Sequence, residues 1–435
     1  MAESGEAPDL DALARGLLTE LGRRPTGLGH IQTCRYFAAP FARLPGGITY
    51  ATALKLEAAF DMVRLIYAND QAAPFEVTAA CIASPATPGA AGVPIDAEGQ
   101  PAGWMRVTFG SPGEGDPPGQ RKSRLLVPGA TVPGEPVFAP SDWMALPSRP
   151  PAEGDGRPWL TTRSFFSHDA RCVLVGPDDM VAFDDPLQNL GRRFEAFHQS
   201  GDFASTPEPM ERAHPYGFVA PVAVQYRTRA AGLTITCVGD SITAGAGTRS
   251  HYSGWGLRTS AALSRPDLPV SYVNAGWSGA PTRIFHAAAR NFLPLLPSGI
   301  VVIAPFSVND RHDEGDTARL AAAGLASGLT LAREVAMAGL LPALLTPLPW
   351  SGMGETVDTA RRDVNTRLRT LGAQGVPVVD IDAMLSDHAA PARLREGYHA
   401  DGLHPRESGN DMMAGALGQA LLRRWPLLRR PAVRP

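Results

Sequence analysis

Two different apolar patterns divide this chain. From residue 233 onward, short apolar runs alternate with longer segments whose apolar residues recur every three or four positions. Leu233–Val238, Val270–Asn274, Ile300–Ala304, Pro342–Thr346 and Val376–Ile381 read as strands. Gly254–Leu263, Pro281–Phe292, Thr317–Ala338, Thr356–Leu371 and Gly409–Leu422 read as helices. Parallel strands need long crossovers, so this alternation predicts a parallel sheet with helices on both faces.

The first half is patterned differently. Leu10, Leu13, Leu17 and Leu21 share one helical face, and Asp9 or Asp11 can cap its start. After Pro25, short β-forming runs alternate with Pro/Gly turns: Ile48–Leu56, Met62–Tyr67, Phe75–Ile82, Trp104–Phe109, Arg124–Val127 and Trp159–Phe166. Many short strands of this kind predict an antiparallel β-sandwich. Gly113–Gln120 and Pro147–Gly156 read as exposed loops, Asp185–Ser200 as a short helix, and Gly201–Pro215 as a polar lead into the second half. The expected organisation is an N-terminal helix in residues 1–25, a sandwich-like accessory domain in 26–215 and an α/β domain in 231–425. Trp104, Trp143 and Trp159 read as fillers of a small sandwich core in preference to platforms for sugar rings.

Composition narrows the function classes. A formal net charge of −3 carries no nucleic-acid or anionic-membrane footprint. The one basic cluster, Arg423, Arg424, Arg429, Arg430 and Arg434, reads as a solvated tail. The four cysteines, Cys34, Cys81, Cys172 and Cys237, are scattered without a CxxC pair, which disfavours structural zinc. The start has neither a basic n-region nor a long apolar h-region, and no run of 18 apolar residues occurs. A cytoplasmic protein without a membrane span is the default expectation.

The chemistry gathers around LTITCVGDSITAGAGT, residues 233–248. Ser241 follows a strand that reads as buried, where α/β enzymes place reactive groups. Taken alone, it reads equally well as a helix N-cap. Far downstream, Asp401 and His404 in DGLHP follow the last predicted strand. A serine hydroxyl is a poor nucleophile until a base accepts its proton, and a histidine held by a carboxylate is such a base. The G-x-S-x-G elbow is absent around Ser241.

GDSIT, NAGWSG, SVND and DGLHP, in this order and spacing, resemble the SGNH (GDSL-type) hydrolase family over about residues 231–425. The resemblance implies a flavodoxin-like three-layer α/β/α domain and a Ser241–His404–Asp401 triad. It implies an oxyanion hole formed by the backbone N–H of Ser241, a glycine N–H of the second block and the Asn309 amide. NAGWSG offers two glycines. Matching Asn274 to the family's asparagine selects Gly279, with Gly276 as the alternative. The family usually has glycine before the block III asparagine, whereas this chain has Val308. Asp240 is expected to anchor the nucleophile turn. No cofactor or metal is implied, and His312-Asp313-Glu314 is a poor ligand set because adjacent residues do not readily face one ion. An accessory β-region before such a domain is similar to the layout of some carbohydrate esterases.

Loops near the predicted strand ends supply the pocket candidates. Trp277, Phe306 and Trp350 are candidates for an apolar wall, and Arg283 or Arg311 for contact with an acidic substrate. His251, His286, His312 and His399 are further candidates to line it. The expected activity is hydrolysis of short acyl esters, acetyl above all, of a small molecule, carbohydrate or glycoconjugate through an acyl-serine. An acyltransferase using the same residues is the first alternative. A binding protein with a degenerate hydrolase half is the second.

Overall fold

The computed structural model describes residues 9–22, 27–35, 41–86, 103–110, 122–151, 156–174, 194–206, 208–210, 214–215, 218–248, 254–312, 317–425 and 428. The expected loop at 113–120 lies outside them, as do most of 185–200 and the last three tail arginines.

The organising element is one long strand. The N-terminal half contributes helix α1 (Leu10–Leu21) and strands β1 (Gly29–Cys34) and β2 (Phe60–Asn69) around strand β3 (Ala223–Gly239). The first part of β3 pairs antiparallel with β1 and β2, placing Cys34 opposite Val224 and Ile66 opposite Ala223. Its second part pairs in parallel with β4 (Val270–Gly276) and β5 (Ile300–Ile303). Strands β6 (Leu341–Leu345) and β7 (Val378–Val379) extend the sheet beyond β5. The five parallel strands thus run β4-β3-β5-β6-β7, which is a 2-1-3-4-5 order. In that order the sheet's direction of growth reverses at β3, and ligands of open α/β sheets bind beyond the strand ends at such a reversal. Leu233–Val238 is buried at every position, as a central parallel strand covered on both sides requires.

Residues 223–230, just upstream of the expected hydrolase domain, are therefore half of its central strand. Helix α2 (Ser241–Ala244) follows β3 directly, and α3 (Trp255–Leu263), α4 (Thr282–Phe292), α5 (Thr317–Met337), α6 (Glu355–Ala373), α7 (Asp382–Leu385) and α8 (Glu407–Arg424) complete the α/β part. Helices α3 and α8 pack together, while α5 packs against α4, α6 and the N-terminal α1. Asp9 caps α1, accepting from the N–H groups of Asp11 and Ala12 at 3.0 and 2.9 Å. Helix α5 is long and apolar enough to cross a bilayer by length and composition, but most of its apolar residues, Met337 excepted, pack in this core.

The first half is rich in strands beyond β1 and β2. A six-stranded sheet has Ile48–Lys55 and Trp159–Phe166 at its centre. A three-stranded sheet contains Phe41–Leu44 and Ala170–Leu174. The expected helix over Asp185–Ser200 is replaced, where described, by a strand, Phe194–Ser200, paired along Ile48–Leu54. Local residue preferences carried too little information there, and cross-strand pairing decided the outcome. Phe41–Leu44 and Val137–Pro140, four residues each and bordered by proline, escaped the period-two signal altogether. Trp159 is buried, whereas Trp104 and Trp143 are half-buried beneath Arg163 and Arg64, at 4.4 and 4.8 Å from guanidinium to ring centre.

Candidate active site

Ser241 is the first residue of the single turn α2. Asp240 caps that turn, its Oδ1 accepting the Ile242 N–H at 3.0 Å. The backbone N–H of Ser241 has no partner within the turn, as at any helix start. Asn274, on the neighbouring strand, holds the far end of the turn by donating Nδ2–H to the Ala244 carbonyl at 3.1 Å. Its Oδ1 accepts the Gly276 N–H, also at 3.1 Å. A Cβ on Gly276 would lie 2.4 Å from the Ala244 nitrogen, so glycine is required for the close approach of turn and strand. Gly276 is thus already engaged, in packing and in hydrogen bonding. Gly279, at φ +77° with open space at its Cβ position, is the second-block glycine left to serve a ligand.

Asp401 and His404 lie on one tight turn before α8. Asp401 Oδ1 accepts the N–H groups of Leu403 and His404 at 2.9 and 2.8 Å, and its Oδ2 receives His404 Nδ1 at 2.7 Å. Desolvation opposes the Asp401 charge, but these hydrogen bonds outweigh it and hold the carboxyl down to about 2. A carboxylate only accepts, so Nδ1 carries the proton and Nε2 presents a lone pair. That Nε2 lies 2.9 Å from Ser241 Oγ. Ser241 is 8% exposed, which keeps the pair shielded but reachable. Gly247 lets the two loops meet: it sits at φ +94°, and a Cβ there would lie 2.7 Å from His404 Cβ.

Asn309 lies in a short 3₁₀ turn after β5. Its Nδ2 donates one hydrogen to the Ala280 carbonyl at 3.1 Å, and an asparagine amide has a second to give. Ser307 ties this loop to the nucleophile turn, donating Oγ–H to Asp240 Oδ2 at 2.8 Å and accepting the Asn309 N–H at 3.1 Å. Burial raises the Asp240 carboxyl above its ordinary range, while the hydrogen bonds from Ser307, Ile242 and Val308 work the other way. Asp310 was not singled out from sequence, although the SVND block contains it. It accepts the Thr282 N–H at 2.9 Å and the Ser307 N–H at 3.2 Å, clamping the start of α4 to the Asn309 loop. Val308 fits the turn without conflict, its N–H lying 3.4 Å from Asp240 Oδ2.

The remaining candidates separate clearly. Trp277 is half-buried at the site's edge, edge-on to Phe41 of the N-terminal half at 5.6 Å between ring centres. Arg283 is exposed on the first turn of α4. Trp350 and Phe306 are buried, so neither presents an open wall. His286 does not line a pocket either. It is fully buried, with Nε2 donating to the Ala304 carbonyl at 2.9 Å and Nδ1 2.8 Å from Ser327 Oγ. Its burial pushes the imidazole down to about 4. His399 supports the Asp401 turn, its Nδ1 accepting the Gly402 N–H at 2.8 Å. His251 lies outside the described residues, as do the side chains of Arg311 and His312.

Residues 237–412 match the model of the GDSL-like lipase/acylhydrolase family. Among solved structures, a lipolytic G-D-S-L protein from Desulfitobacterium hafniense is similar at 18% identity, covering 43% of this chain and 99% of its own, with a TM-score of 0.35. An acylhydrolase from Bacteroides fragilis is similar at 21% identity over 45% of this chain and 88% of its own, also at 0.35. A family 3 carbohydrate esterase from Clostridium thermocellum is similar at 18% identity over 45% and 98%, again at 0.35. No curated protein matches the chain.

Proposed function

We propose that this protein is a serine esterase that removes short acyl groups, acetyl above all, from an O-acylated small molecule, carbohydrate or glycoconjugate. The observation that carries the reading is the unbroken hydrogen-bonded line Asp401–His404–Ser241 beyond the end of the central strand. In this reading the α/β part is a flavodoxin-like α/β/α sandwich, and the six-stranded and three-stranded sheets of the first half form a β-sandwich-like accessory unit that reaches the site through Phe41.

His404 Nε2 takes the Ser241 proton as Oγ attacks the ester carbonyl, and the imidazolium that results is held by Asp401. The carbonyl oxygen becomes an oxyanion that receives the Ser241 N–H, the Gly279 N–H and the free hydrogen of Asn309 Nδ2. Preorganised donors of this kind contribute about 3 kcal/mol each to the transition state. Collapse expels the alcohol, which takes the proton from His404 and leaves an acyl-serine. Water then attacks the acyl carbon, giving its proton to His404. The second collapse releases the carboxylic acid and returns the proton to Ser241.

Turnover of p-nitrophenyl esters from acetate to laurate, by wild type and Ser241→Ala in parallel, tests the reading. Hydrolysis that is fastest on acetate and lost in Ser241→Ala is the expected result. Absence of hydrolysis at every chain length would overturn it.

A further inference from the structure

The Ser241–His404 pair stands beside an apolar cluster that its proton chemistry does not use. Ile242 follows Ser241 and Leu403 precedes His404, and both pack, together with Met353, on Trp350, Val308 and Val357. The last three are buried, while Ile242, Leu403 and Met353 remain half-buried and open to a ligand. Next to this surface, a cavity of about 30 Å³ is lined by Ile242, Phe306, Val308, Leu348 and Trp350, with Asp240 among its polar lining. That is about the space of a single water molecule or methyl-sized group.

Two of the side chains that line this space cannot readily withdraw. Val308 is β-branched and stiff about χ1. Its backbone is pinned on both sides, by Asp240 and by the Asn309–Ser307 bond. Trp350 is held because the next residue, Ser351, donates its N–H to the Gly402 carbonyl at 2.8 Å on the turn that carries Asp401 and His404. The alcohol of the ester has to stay within reach of His404 to be protonated, and an apolar surface beside the nucleophile suits the other half of the substrate.

Building on the esterase reading above, we propose that Ile242, Leu403 and Met353 form its acyl subsite. Val308 and Trp350 close the floor and restrict it to acetyl and propionyl esters. A missing or surplus methylene in a closed apolar pocket changes specificity by about 10- to 200-fold, so the boundary falls sharply between propionyl and butyryl.

The test is kcat/KM on p-nitrophenyl acetate, propionate, butyrate and octanoate for the full chain, with Val308→Ala, Trp350→Leu and Ser241→Ala alongside. Each floor variant is expected to raise the butyrate-to-acetate ratio by about tenfold or more. Met353→Phe, on the half-buried rim, is expected to lower the propionate-to-acetate ratio several-fold, and it decides the matter if neither floor variant folds. Ser241-dependent turnover whose chain-length ratios stay within twofold of wild type in every folded variant would overturn the subsite and leave the esterase reading standing. A wild type equally fast on octanoate would overturn both the subsite and the short-chain preference, and leave only a Ser241-dependent esterase. Turnover that survives in Ser241→Ala would overturn both.

Discussion

Asp310 and Thr282 lie 28 residues apart in sequence, yet one carboxylate accepts both the backbone N–H and the hydroxyl of the threonine. This bond joins the start of α4 to the loop that carries Asn309. Gly279 and Asn309, the proposed oxyanion donors, therefore sit on two loops locked to each other, with Ser307 and Asp240 extending the lock to Ser241. Such preorganisation spares the donors from reorganising during the reaction.

Removing that lock should act on turnover more than on substrate binding. Asp310→Ala is expected to lower kcat by about 10- to 100-fold with KM little changed, as donor groups lose their aim. It also removes the hydrogen bond at the start of α4, which costs about 1 kcal/mol in stability. Steady-state kinetics and a thermal melt check both, and an unchanged kcat would show that the lock has no part in turnover.

The donor and the nucleophile themselves should give larger and different losses. Ser241→Ala is expected to cut kcat by about four or more orders of magnitude while the circular dichroism spectrum stays that of wild type. Asn309→Ala should cost about 10²–10³ in kcat. A variant at Asn309 with wild-type kcat would remove that amide from the oxyanion hole.

Gly247→Ala tests the meeting of the two loops. Alanine resists φ near +94°, and its Cβ would press on His404 Cβ at 2.7 Å. A stability loss of more than about 1 kcal/mol is expected. Displacement of His404 from Ser241 should lower kcat at least about tenfold. Equal kcat in both proteins would mean that the loops can separate without consequence.

His286 should give stability a dependence on pH that the active site does not explain. Its imidazole is held at about 4 in the folded protein, chiefly by burial, against an ordinary value near 6.5. The unfolded chain thus takes up the proton first as pH falls. The contribution of neutral His286 is fully present above about pH 6.5, is lost progressively down to about pH 4, and amounts to about 3 kcal/mol. Denaturant titrations at pH 7 and pH 4.5 should show a smaller difference in His286→Gln than in wild type. Identical differences would place the acid sensitivity elsewhere. Asp401, held down to about 2, stays ionised across the whole window.

What the sequence determined by itself was the periodic part and the locally built part. Every helix and strand expected from residue 233 onward is present, because long amphipathic segments and buried β-branched runs leave little choice. Their ends agree within a few residues, except that the first strand starts ten residues earlier, at Ala223. The Asp401–His404 pair was equally legible. Three residues on one turn bring carboxylate and imidazole together with almost no help from the rest of the chain.

Tertiary structure decided the contacts between distant segments. Only the packed sheet distinguishes Gly276, spent against Ala244, from Gly279. Only packing turns His286 from a pocket candidate into a buried neutral group and Trp350 from an open wall into a buried side chain. The same holds for Phe194–Ser200, which became a strand by pairing with Ile48–Leu54. It holds too for the first part of β3, which carries the N-terminal strands into the central sheet. In each case the local preference is small beside the free energy of pairing and burial, and partners far apart in the chain supply that term.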